Sequence, residues 1–129
     1  LLILILIVFC LILPKKLIVN GMRCILLLKI ITNNMPAATR IGDADIPHCS
    51  PMVRAQGSGN VFVNSIPWSR QGDVNTVHLL PGVPCPAHAA PIAIGSTTVF
   101  VNSKGEGRIG DAISGCTSVA EGSSNVFSG

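Results

Sequence analysis

With 129 residues and a net charge of +3, the chain has room for one compact domain, and its composition changes at residue 35. Four of the nine basic side chains and none of the six acidic ones precede residue 35, which leaves five basic against six acidic groups in the remainder. A near-neutral stretch with no clustered Lys or Arg lacks the electrostatic footprint of a nucleic-acid binder, so that class is set aside.

Residues 1–34 are dominated by Leu and Ile. The run LLILILIVFCLIL gives 13 apolar residues before Pro14, fewer than the roughly 20 that a membrane-spanning helix needs. The next run, LIVNGMRCILLLKII, is interrupted by Asn20, Gly21 and Arg23. A signal peptide carries its basic residues before its apolar region, whereas Lys15 and Lys16 follow it here, and no small-residue cleavage site is evident. The segment is therefore read as lying outside the functional unit, with a membrane or targeting segment as the alternative.

From Met35 onward the chain repeats itself. GSGNVFVN at 57–64, GSTTVFVN at 95–102 and GSSNVFSG at 122–129 share one pattern, and RIGD at 40–43, RQGD at 70–73 and RIGD at 108–111 share another. Val61-Phe62-Val63 and Val99-Phe100-Val101 are β-branched and aromatic runs bounded by Gly and Asn, which predicts short strands, and each Gly-Asp predicts a turn. Nine prolines and thirteen glycines, nearly all after residue 35, argue against long helices. The expected fold class is all-β, built of short strands and loops in three related units with pseudo-threefold symmetry. The second and third Arg-x-Gly-Asp copies are separated by an insertion, residues 79–93, expected to form a loop on the working face.

The candidate site follows from the repeat. His48, His78 and Cys116 each stand five residues after the Asp of their Gly-Asp, at Asp43, Asp73 and Asp111. Equivalent positions around a threefold axis converge, so these three side chains are expected to face one another. The insertion adds His88, three residues after Cys85. Three imidazoles and one thiolate are a zinc set, and four protein ligands make a closed, structural site, so one structural Zn2+ is expected on His48, His78, His88 and Cys116. Such a metal would add folding energy to a domain with only one Trp and three Phe beyond residue 35. Cys49 or Cys85 could replace a histidine, or the two could pair as a disulfide. Asp43, Asp73 and Asp111 recur with the turn, so they are expected to cap turns or to hydrogen-bond backbone or a ligating His, and no catalytic residue is expected. GSGN, GSTT and GSSN fit neither the nucleophile elbow nor the phosphate-binding loop.

MPAATRIGD at 35–43 contains a Pro-Ala-Ala-Arg signature with Thr39 before Arg40, and the chain from there on resembles the PAAR-repeat proteins. The Gly-Asp-spaced His and Cys, the Cys-x-x-His insertion and the GSxxVFVN repeats match that family in order and spacing, over residues 35–129 and not 1–34. The resemblance implies a conical strand-rich domain that caps and sharpens the blunt end of a trimeric β-helical spike, in type VI secretion systems or contractile phage tails, for membrane puncture. It implies zinc on the same four residues, effector proteins as further partners, and a place in the bacterial cytoplasm before firing, or at the tail tip of a virion. The VFVN strands are the expected spike-facing edge. Two other readings stand beside this one. A small zinc-dependent enzyme would need an open coordination position, and a membrane-anchored, disulfide-stabilised domain would make use of the apolar N-terminus.

Overall fold

The structure is a computed structural model that describes residues 18–19, 22–23, 35–82 and 86–129. The chain forms two compact units, Leu1–Asn34 and Met35–Gly129. In the first, β1 (Ile18–Val19) pairs antiparallel with β2 (Met22–Arg23), and the expectations for the rest of residues 1–34 lie outside the described residues. Among the described residues there is no helix, and none long and apolar enough to cross a membrane.

The second unit is all-β. Its strands are two-residue antiparallel pairs: β3 (Phe62–Val63) with β4 (Ile66–Pro67), β5 (His78–Leu79) with β6 (Ala87–His88), and β7 (Phe100–Val101) with β8 (Lys104–Gly105). Asn64-Ser65 and Asn102-Ser103 connect two of these pairs with positive φ at all four residues, 52°, 64°, 52° and 63°, as a two-residue hairpin turn of the primed type demands. The third copy of the motif has no hairpin of its own. Instead Phe127 bridges Ala37, and Ser128 N donates to Pro36 O at 3.0 Å, so the two ends of the unit pair where the other repeats turn.

This pairing closes a ring. Arg40 bridges Trp68, Arg70 bridges Glu106, and Arg108 bridges Ala38, each repeat holding the next and the third holding the first. Inside, Thr39 N donates to Gly107 O (3.0 Å), Gly107 N to Ser69 O (2.9 Å), and Ser69 N to Thr39 O (3.0 Å). Three hydrogen bonds linking three equivalent residues in a cycle define the pseudo-threefold axis.

The repeated residues have local tasks in this ring. In the GSxx motif, a Cβ on Gly57, Gly95 or Gly122 would come within 2.9, 2.5 or 2.7 Å of a backbone oxygen, so only glycine fits. The following serine caps the entering strand: Ser58, Ser96 and Ser123 Oγ accept from the N–H groups of Val61, Val99 and Val126 at 2.9–3.0 Å. In the Arg-x-Gly-Asp motif, the Asp carboxylate accepts from the Arg backbone N–H at 2.7–2.9 Å and from its guanidinium, locking the turn with a fork. Hydrogen bonding to Asp43 and Asp73 raises the pKa of Arg40 and Arg70 further. The carboxylates thus serve the turn and its Arg, as expected in part, and none of them contacts a His.

The apolar core is small. Ala90, Ile92, Ile113 and Val119 form its cluster, with Cys116 packed against it. Buried polar residues are as prominent, among them Asp45, Arg54, Asn75 and Glu106. Glu106 stands where the other repeats have Ala38 and Trp68. Its Oε1 accepts from Ser128 Oγ, and its Oε2 has no partner.

Two predictions follow from local conformation and burial. Ser103→Gly removes a left-handed strain of about 1–2 kcal/mol, offset by about 0.4–1 kcal/mol for the freer unfolded chain, and should raise the melting temperature by about 2–5 °C in a thermal melt. Burial raises the Glu106 pKa, opposed by Ser128 and Arg108 and aided by Asp111. The folded state therefore holds the proton more tightly than the unfolded chain, and stability should fall as pH climbs from the ordinary carboxylate range to the raised value. Glu106→Gln should flatten that slope in denaturant titrations between pH 4 and 8.

Candidate metal centre

His48, His78 and Cys116 leave the ring on three loops of unequal length. Asp45 N donates to Met52 O (3.2 Å), Asn75 N to Ala90 O (3.1 Å) and Ile113 N to Thr117 O (2.8 Å), so equivalent hydrogen bonds close the roots of a medium, a long and a short loop. The long one contains the insertion, whose β5–β6 hairpin pairs His78 with His88 in register. Cross-strand partners project to the same side, which delivers the fourth side chain to the place where the symmetry brings the other three.

The ligand atoms of His48, His78, His88 and Cys116 all lie within 4.8 Å of one another. His48 Nε2 is 3.0 Å from Cys116 Sγ and 3.2 Å from His78 Nε2, and His78 Nε2 is 3.3 Å from the same sulfur. His88 Nε2 stands 3.8 Å from Cys116 Sγ. Nitrogen and sulfur ligands at tetrahedral metal-bond lengths are about 3.3–3.6 Å apart along each edge. The first three atoms make a slightly tight triangular face and the fourth stands off it as an apex would. This is a set that could hold a metal ion.

The tautomers agree with that use. His78 Nδ1 lies 2.8 Å from Thr76 O, a bond only an N–H can make, so the neutral ring turns its Nε2 lone pair toward the centre. Burial first, then the neighbouring His78 and His48, lower the His88 pKa and favour the neutral imidazole that a metal requires. Burial pushes the Cys116 thiol up, while the Thr117 backbone and the Asn75 amide pull it back, and Cys116 is a free thiol. A cation among the four reverses the balance at the sulfur, because the thiolate is the form it binds.

All four expected residues are therefore together. Cys49 is disulfide-bonded, which removes it as a thiolate ligand, and Cys85 lies outside the described residues. What the sequence reading missed lies just beneath: Asp45, Arg54 and Asn75, all fully or almost fully buried. Arg54 Nη1 donates to Asp45 Oδ2 at 3.0 Å, and the pair has no side-chain exposure. Burial raises Asp45 and lowers Arg54, each held toward its charged form by the other. The repeat carried a signal for them, since Asp45, Asn75 and Ile113 stand at one repeat position, three residues before His48, His78 and Cys116. A polar residue at a position that is apolar in a sister repeat marks a buried network.

No protein-family model matches the chain, and no curated protein matches it.

Replacing any one of the four residues by Ala should remove bound metal and lower the melting temperature together. Metal content by mass spectrometry and a thermal melt on the full chain check this, with addition of a chelator to the unmutated protein expected to give the same loss of stability.

Proposed function

We propose that residues 35–129 are the zinc-tied tip of a contractile injection spike, a structural part of the PAAR-repeat kind seated on the blunt end of a trimeric β-helical protein. One observation carries this reading. A single chain closes into a ring of three equivalent units, and each unit exposes the same aromatic residue at the same place: Phe62, Phe100 and Phe127 are 53%, 60% and 41% exposed. Large apolar side chains in a threefold set are costly in water and fit a threefold partner.

The chemistry of the donor set supports zinc. Three neutral imidazoles and a thiolate are the borderline-soft ligands it prefers, and four of them leave no position for a water or substrate. When bound, the ion ties together the three loops that leave the ring, and it does no turnover. His48, His78, His88 and Cys116 would hold it, with His78 oriented by Thr76. From Phe62 to His78 and from Phe100 to Cys116 the chain passes from the Phe-bearing strand through the Arg-x-Gly-Asp turn to the metal-bearing loop, and the pairing of Phe127 with Ala37 completes the third such unit. A partner docked on the Phe edge would leave the metal loops to meet the target membrane.

The test is stoichiometry. Mixed with a trimeric β-helical spike protein, from a type VI system or a contractile phage tail, the chain should bind as one copy per trimer by native mass spectrometry. A buried Phe contributes about 1.5–3 kcal/mol, so single Phe→Ser changes at 62, 100 or 127 should weaken binding about tenfold or more, and the triple change should abolish it. Binding at other stoichiometries, or unaffected by the triple change, sinks the reading.

A further inference from the structure

If the four-residue cluster holds zinc as proposed above, something must keep three loops of different length in register before the ion arrives. We infer that the side-chain amide of Asn75 is the positioning residue of this site, pinning the segments that carry His48, His78 and His88 at one point.

The connectivity is complete for one amide. Asn75 is 1% exposed. Its Oδ1 accepts from Ala90 N at 2.8 Å, and Ala90 is two residues beyond His88. Its Nδ2 donates to Asp45 Oδ2 at 3.0 Å, and Asp45 is three residues before His48. Its own backbone leads to His78 three residues on. The amide oxygen and one amide N–H thus each reach a different histidine-bearing segment, and the Asn75 backbone carries the third.

Asn75 is itself held. Asp45 Oδ2, which receives its proton, also receives Arg54 Nη1 at 3.0 Å, and Arg54 Nη2 donates to Asp73 O, two residues before Asn75. Arg54 further forms a backbone bridge with Asn75. The bonds to Asp45 Oδ2 and from Ala90 N therefore fix the amide plane. The third repeat has Ile113 at this position, within the apolar cluster, and Cys116 follows on the shortest loop, closed by Cys116 N donating to Ile113 O at 3.1 Å. A polar pin is needed where loops are long, and only the first two repeats have long loops.

The experiment uses the full chain with zinc alone, by chelator competition, and with Co2+ as a spectroscopic stand-in, Cys116→Ser defining the background. Asn75→Asp keeps the size and the acceptor for Ala90, removes both donors and sets a second carboxylate against Asp45. It should weaken zinc about 10–100-fold, the range for groups that orient metal ligands, and should shift the cobalt-thiolate absorption. Asn75→Ser, smaller and uncharged, should weaken zinc in the same direction, so the result does not hang on one variant folding. Ile92→Val, which trims the apolar half of the same layer, should lose stability and keep both the affinity and the spectrum. Wild-type affinity with an unshifted spectrum in both Asn75 variants overturns the positioning role and leaves the site standing. Equal losses in Ile92→Val overturn it too, since the effect would then be general loosening. An unmutated chain that takes up no metal overturns this inference and the zinc reading together.

Discussion

A cycle of three backbone hydrogen bonds, Thr39 to Gly107, Gly107 to Ser69 and Ser69 to Thr39, is the constraint on which the rest of residues 35–129 depends. Two-residue strands cannot make a sheet that is stable alone. Each repeat is therefore stable only because its neighbour completes its backbone pairing, and the third repeat only because Phe127 returns to Ala37. With so few large apolar side chains in the interior, the free-energy balance rests on leaving almost no backbone group unpaired, as well as on burial. The repeated Gly, Ser, Arg and Asp are the residues that make such close backbone approach possible.

Symmetry brings three side chains to one place, but a tetrahedral metal needs four. The insertion resolves the mismatch. Its hairpin pairs His88 directly across from His78, so the fourth side chain of the cluster comes from within the second repeat and not from a fourth unit. The cost is a long loop, tied to the first unit by Leu79 N donating to Ser50 Oγ at 2.8 Å, and the buried Asp45, Arg54 and Asn75 network sits where that loop leaves. A buried ion pair is weak evidence of stability in itself. Here its evident geometric result is a fixed amide below the ligand atoms, which links the least symmetric part of the fold to the part with the strictest geometry.

The opposite departure from symmetry lies at positions 38, 68 and 106, where the ring carries Ala, Trp and Glu in turn. Trp68 Nε1 donates to Gly107 O at 3.2 Å, and Glu106 is covered by Ser128. Three different side chains fill one layer of a ring whose backbone is nearly threefold. The repeats have thus kept their turns and hydrogen bonds while their interior contacts diverged, which is what nearest-neighbour stabilisation permits.

Much of this was legible in the chain. The two motifs, their order and the offset of five from Asp43, Asp73 and Asp111 pointed to the all-β class, the threefold plan and His48, His78 and Cys116, and the Cys-x-x-His insertion added His88, because turn chemistry and repeat spacing are local properties. The positive-φ Asn-Ser hairpins were not foreseen, since serine is not a residue that announces such a turn. Nor was the pairing of Arg40, Arg70 and Arg108 with their own aspartates, where a catalytic or histidine-orienting carboxylate was the natural comparison. Tertiary structure alone decided that residues 37 and 127 meet and that Asp45 reaches Asn75 in the interior. Those are contacts between segments far apart in the chain, and no local pattern specifies which distant partner a buried polar group will find.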